Sequence, residues 1–294
     1  MTLTLQLAAN TLLIGGVYVL FAMGLTLIFG VMKIINFAHG VFFSTAALVV
    51  SVMSHAVGRA YGLPSGAVFA VSLLVAVVTV LVLGGAMYWF GFQRFLRDLI
   101  GSFILSVGML LLLQGLLLTL FTGATRTTPP LVEGAIHRFG IVLDLQRLVV
   151  CAAALGATAC LYAFLKQSKL GRALRAVAED QEAAALQGIN YRNVSLLGFL
   201  IGSLLAGLAG GLIAPLTAVT PAVGDAYLVK AFIIIIVGGL GSIPGAILGG
   251  FAVAAIESIV GFFYDLSTAS ILMFALVIAV LLVRPQGLLG HASR

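Results

Sequence analysis

Charge is what this sequence has least of: Asp, Glu, Lys and Arg make up 8% of its 294 residues, against 62% hydrophobic residues. Mean hydropathy is +1.23. A soluble domain carries roughly a quarter charged residues, so a globular, water-solvated protein is excluded. No polar stretch is long enough to form a second domain, and a single transmembrane domain over residues 1–294 is expected. Cysteine is nearly absent. Cys151 and Cys160 sit in one apolar run without His or acidic neighbours, which speaks against a disulfide framework or a metal site, and no cofactor is expected. The sequence also lacks Gly-x-x-x-x-Gly-Lys-Ser/Thr, so the backbone cradle that ATPases use for phosphates is missing. There is no basic segment ahead of the first apolar stretch, 7–32, which is too long for a signal peptide and reads as the first span. The net charge of +6 is not clustered as nucleic-acid binding requires. Outside one loop, the basic residues stand singly between apolar runs, as at the cytoplasmic ends of membrane spans, so the expected partner is a lipid bilayer and not nucleic acid.

A hydrocarbon core of about 30 Å takes roughly 20 helical residues. Apolar runs of that order occur at 7–32, 38–55, 64–91, 99–121, 144–165, 192–214 and 268–284. The stretch 226–262 is too long for one ordinary span, and Gly238-Gly239-Leu240-Gly241-Ser242-Ile243-Pro244-Gly245 in its middle breaks helices. It reads as two shorter spans joined by a tight turn. The fold class expected is an all-α integral membrane bundle of roughly 8–9 transmembrane helices with one or two broken or re-entrant segments, at 33–40 and 238–245. Lys166, Lys169, Arg172, Arg175 and Arg192 in the 166–192 loop lie on one side with Arg94, Arg97 and Lys33, which makes that side cytoplasmic. The N-terminus is then outside. Arg284 and Arg294 favour an inside C-terminus, which requires nine spans. The outer connections are 56–63, 122–143 and 215–225. Pro129-Pro130 in the second marks either a docking surface for an external partner or an ordinary loop.

The 166–192 loop is the most informative segment. Gly171 to Leu186 reads as a helix outside the hydrocarbon, stopped by Gly188 and Asn190. Leu174, Val177, Ala178, Gln181, Ala184 and Ala185 make a small-residue face at helical spacing, opposite Arg172, Arg175, Glu179, Asp180 and Glu182. Such a helix suits docking into a groove of another protein. A solvated connection held by pairs such as Arg175 with Glu179 fits the spacing equally well.

Glu182-Ala183-Ala184-Ala185-Leu186-Gln187-Gly188 is similar to the coupling-loop signature of ABC importer permeases, Glu-Ala-Ala, three residues, Gly. Gly171-Arg172-Ala173, Arg175 to Asp180 and Gly188-Ile189-Asn190 resemble the branched-chain amino-acid permease family, specifically its LivH-type subunit. So do Ile35-Asn36-Phe37-Ala38-His39-Gly40 and Gly238 to Ala246, and the likeness runs on to Pro285-Gln286-Gly287. The hydrophobic-Pro ending of sugar- and maltose-type permeases is absent. The resemblance implies a multi-pass protein of the bacterial inner membrane forming half of an importer channel. It implies a second related permease, two ABC ATPase subunits that hydrolyse the ATP, and an external substrate-binding protein. Substrates would be branched-chain or related amino acids, with urea or short amides as other cargoes of the family. Arg172, Arg175, Glu179, Asp180, Glu182, Ala183, Ala184 and Gly188 would couple to the ATPase.

Irregular backbone at membrane depth survives only where protein buries it or water lines it, so the two broken segments are candidates for the translocation path. Asn36, His39 and Gly40 mark the first; Gly238, Gly239, Gly241 and Ser242 mark the second. A structural histidine and glycines used for close helix packing are the plainer readings. Glu257 is an acid inside an apolar run, and such charges face a cavity or a partner; Lys230 is the cation able to pair with it. Ser102, Ser106 and Gln114 share one helical face and serve substrate contact or interhelical hydrogen bonds. An ion-coupled carrier working without an ATPase would also explain Glu257 and the broken helices, but it leaves the docking helix unexplained. An intramembrane enzyme lacks an acid–base pair at workable spacing.

Overall fold

The computed structural model describes residues 2–96, 98–138 and 141–290, so Arg97 and Arg294, two of the charges used to orient the chain, lie outside the described residues. The helices are α1 (Thr2–Met32), α2 (His39–Tyr61), α3 (Ser65–Phe90), α4 (Leu99–Phe121), α5 (Leu145–Gln167), α6 (Lys169–Glu179), α7 (Gln181–Leu186), α8 (Tyr191–Ile213), α9 (Val223–Gly238), α10 (Ile243–Phe263) and α11 (Leu266–Val283). A hairpin of β1 (Ala135–Arg138) and β2 (Ile141–Asp144) sits in the connection between α4 and α5. Among the described residues, eight helices are long and apolar enough to cross a membrane. The remaining long one, α9, has 16 residues and spans only about 24 Å. The expected division of 226–262 is the α9–α10 pair. The single surface helix expected over 171–186 is instead two. Asp180 adopts an extended backbone, and its Oδ1 accepts the N–H groups of Glu182 and Ala183 at 2.8 and 3.0 Å. An acid that caps a new helix competes with continuing the old one.

Most helices start on such a cap: Asp98, Asp144, Ser168, Asn190, Ser242 and Asp265 each accept a backbone N–H of the first turn. The Thr268 N–H on Asp265 holds that exposed carboxyl below the usual range. Helices α2, α3 and α9 have no side-chain cap at Ala38, Pro64 and Ala222. Asn36 Oδ1 takes the Ala38 N–H at 3.1 Å, and Ser44 Oγ, from α2, takes the Gly224 N–H of α9 at 2.8 Å.

Helix α1 is the axis of the bundle, buried almost continuously from Val17 to Met32 and packed by α5, α8, α9 and α10. Its closest approach is to α8: a β-carbon on Gly24 would stand 2.8 Å from the Gly202 carbonyl oxygen, and one on Gly202 2.9 Å from that of Gly24. Helices α2 and α9 meet the same way, Gly40 against Gly224. The neighbours follow suit. Helix α10 lies on α1 as α3 lies on α8, and α11 on α9 as α4 on α2. Segments α1–α4 and α8–α11 are therefore one four-helix arrangement used twice in opposite directions, the inverted repeat common in transporters. No repeat is visible in the sequence. Helices α4 and α11 are peripheral, with Ile104, Leu111, Leu112, Ile271 and Leu282 exposed.

The two ends of the bundle differ. One gathers Lys33, α6, α7, Leu96 and Tyr191, the turn 239–242 against Gly30, and residues 286–290 against Gly239. The other gathers Gln6, which pairs with the Val142 backbone of the hairpin, Thr127 beside Ser51 and His55, and Arg126 bridged to Val219. The beginning and end of the described chain thus lie at opposite ends, as an odd number of crossings requires.

Candidate translocation path and coupling surface

At the end that carries Lys33, α6 and α7 are strapped to the bundle. Lys33 Nζ donates to the Ala178 carbonyl at 2.9 Å, and Gln181 Nε2 to Val31 O and Tyr191 Oη at 3.2 and 3.3 Å. Lys33 itself has φ 57°, a left-handed backbone that costs a non-glycine residue about 1–2 kcal/mol and that starts the chain back into the bundle. Tyr88 Oη donates to Arg192 O at 2.7 Å, tying α3 to the start of α8. The face expected to dock on another protein is largely turned inward: Leu174, Val177 and Ala184 are buried in this chain. Arg172, Arg175, Glu179, Asp180, Glu182, Ala183 and Gly188 are exposed. So is Leu186, at 87%, a large apolar side chain that water alone would not favour.

Residues 33–38 re-enter the bundle without helical structure. His39, at the start of α2, stacks on Phe21 at 4.7 Å, and its Nε2 donates to the Phe21 carbonyl at 3.2 Å, which fixes the tautomer because a carbonyl can only accept. His39 Nδ1 and Asn36 Nδ2 are buried without a protein partner. Rings continue from Phe21 to Phe43, Tyr227 and Tyr18. There Lys230 Nζ donates to Glu257 Oε1 at 2.8 Å and to Tyr18 Oη at 2.7 Å, while Tyr18 Oη donates to Glu257 Oε2 at 2.8 Å. Glu257 is thus paired with Lys230, the cation that the sequence offered for it. Lys230 and Glu257 side chains are 21% and 13% exposed.

On α4, Ser102 Oγ donates to Leu99 O within its own helix and Ser106 Oγ to Ile35 O of the re-entrant segment at 3.2 Å. Gln114 Nε2 donates to Asp225 Oδ2 at 2.8 Å. Phe37 of that segment meets Phe103 edge-on at 5.4 Å and the tilted ring of Phe232 at 4.9 Å. Asp225, Tyr18 and Tyr227 are the polar groups that sequence reading missed, Asp225 because it falls in the stretch assigned to an outer connection. A second irregular segment, 214–222, precedes α9; it lies at the outer end, where Pro215 meets Gln146 and Val219 meets Arg126, and leads down to Gly224 against Gly40. The glycine cluster instead turns the chain at the Lys33 end. A β-carbon on Gly238 would collide with the Gly245 backbone and one on Gly239 with Gly290, while Gly241 has φ 81° and Ser242 caps α10. Packing and turn geometry account for the residue types at Gly238, Gly239, Gly241 and Ser242.

Comparison with known proteins adds to this geometry. The family described as "Branched-chain amino acid transport system / permease component" matches residues 7–281. The chain is 32% identical to the high-affinity branched-chain amino acid transport system permease protein LivH of Escherichia coli, covering 98% of this chain and 96% of that one. It is 30% identical to the corresponding protein BraD of Pseudomonas aeruginosa, with the same coverage. To a probable branched-chain amino acid transport permease protein LivH of Methanocaldococcus jannaschii it is 27% identical over 92% of this chain and 88% of that one.

Proposed function

The chain belongs to the family of permease components of branched-chain amino acid transport systems, and from that premise we propose how it works as a subunit of an ABC importer in the bacterial inner membrane. It is a multi-pass permease. It pairs with a second related permease, and the cargo passes between them. Two ATPase subunits on the cytoplasmic face hydrolyse ATP, and an external binding protein delivers a branched-chain or related amino acid, the substrate class named for its relatives.

The observation that carries the coupling role is the double strap from α6–α7 to the end of α1, Lys33 to Ala178 and Gln181 to Val31. ATPase subunits gripping Arg172, Arg175, Glu179, Asp180, Glu182, Ala183, Leu186 and Gly188 would pull on α6–α7. Ala184 supports that grip from inside. The pull reaches Lys33 and the re-entrant segment with Asn36, His39 and Gly40, shifting access by rigid-body rocking. Path-lining groups in this reading are Ile35 and Phe37, the α4 face with Gln114, and the exposed face of α9. Ser106, through Ile35, and Glu257, through Lys230, hold these helices in place, while Ser102 bonds within α4.

The complete transporter in proteoliposomes tests this. Leu186→Asp and Glu182→Lys are each expected to cut ATP-driven uptake by roughly tenfold, the loss of one interface anchor, and to abolish the rise in ATP hydrolysis on adding loaded binding protein. Unchanged uptake in both variants would remove the docking role. Uptake by the chain without any ATPase subunit would instead establish an ion-coupled carrier.

A further inference from the structure

We infer that the face between α4 and α9 carries a binding site for a zwitterionic aliphatic amino acid, with Asp225 holding its ammonium group. The inference rests on the permease reading and adds the residue that recognises the cargo. Asp225 lies well below the outer surface. Its partner Gln114 is seven residues before the end of α4, about 10 Å down by helical rise. The adjacent Gly224 is bonded to Ser44, seven residues, or about 10 Å by helical rise, before Ser51, which meets Thr127 at the outer end.

A carboxylate at that depth is costly unless it faces a partner or a water-filled space. Its compensation here is incomplete. It stands in the first turn of α9, where the helix dipole favours an acid by about 0.3–1 kcal/mol, and Gln114 donates one hydrogen bond. Among the described residues no cation pairs with it, since the one ion pair joins Lys230 to Glu257. Oδ1 has no protein partner among the described residues, yet it is absent from the buried unpartnered atoms, so it is reachable. Lys230, the nearest cation along α9, is occupied by Glu257 and Tyr18.

The surroundings match the rest of such a molecule. Asp225, Val229 and Phe232 follow one stripe of α9 at four- and three-residue steps, and Val229 is exposed. Phe103, Val107, Leu110 and Gln114 follow one stripe of the antiparallel α4 on the same rule. The two helices are joined at one end by Gln114–Asp225 and at the other by Phe103, Phe37 and Phe232. The result is one acidic end and an apolar strip about 10 Å long by helical rise, room for an ammonium group and a branched aliphatic side chain.

The test uses the intact transporter in vesicles, comparing leucine uptake by the parent chain, Asp225→Asn and Asp225→Glu. Losing a charge-assisted hydrogen bond predicts that Asp225→Asn lowers maximal uptake roughly tenfold, while ATP hydrolysis changes by less than about twofold. Asp225→Glu should retain most uptake. Parent-level uptake by Asp225→Asn overturns the site, whereas a parent complex that imports no amino acid overturns the permease reading instead. A second measurement is independent of transport. With Cys151 and Cys160 replaced by Ser, Val229→Cys should favour a cationic over an anionic methanethiosulfonate several-fold more than a free thiol in solution does, and Asp225→Asn should remove that excess. No excess with Asp225 present, or no reaction from water, also overturns the proposal.

Discussion

Helix α9 carries two intramembrane charges five residues apart, and they are treated in opposite ways. Lys230 is locked: Glu257 neutralises it, Tyr18 bridges both partners, and the rings of Tyr18 and Tyr227 lie 4.9 and 5.6 Å from its ammonium. Asp225 is held by one amide and is otherwise open. A closed cluster of three mutually bonded groups leaves nothing for a passing solute to exchange. An open carboxylate does. The difference separates a charge that fixes the fold from one available to cargo, although both look alike in composition.

The largest expected effect breaks the closed cluster. Glu257→Gln leaves Lys230 buried without its counter-ion, and unfolding in detergent should show a loss of about 3–5 kcal/mol. Adding Lys230→Met should restore most of it, because both charges are then gone; no recovery would mean that the pair is not what the cluster depends on. Smaller is Tyr18→Phe, which removes a hydroxyl bonded to two charged groups. It should lower stability by about 1.5–3 kcal/mol, seen as a downward shift in the same melting curve. Gln114→Leu probes the open site and should change stability by less than about 1 kcal/mol, since Asp225 Oδ1 is not sealed within the protein. A loss as large as that of Tyr18→Phe would show that Asp225 is as closed as Lys230 and would erase the contrast.

Much of the fold is legible along the chain. Apolar run length gives the long helices, and the break in 226–262 gives α9 and α10 nearly to the residue. The surface segment at 169–186 is legible as helical and polar, but its division at Asp180 is not. Asp is an indifferent helix former and a strong cap, so the outcome depends on where α6 must bend to stay on α1. The same applies to its faces: helical spacing marks Leu174, Val177 and Ala184 as one apolar stripe but does not say whether a partner or this chain covers it. Of the two irregular segments that lead into the bundle, 33–38 is signalled by its polar residues. Segment 214–222 looks like any outer loop until Gly224 is found against Gly40.

The sequence by itself determined that this protein lives in a membrane, the number of its long helices to within one, which side its positive loops favour and that it lacks a phosphate cradle for ATP. Those properties follow from local composition and periodicity, because a bilayer tests each segment separately for length and polarity. Tertiary structure alone decided depth and pairing: that α9 starts within the bundle, that α1–α4 and α8–α11 repeat one arrangement, that Lys230 meets Tyr18 from 212 residues away, and that Asp225 stays open. Depth is set by contacts between helices distant in sequence, through glycines and hydroxyls that look the same wherever they stand along the chain.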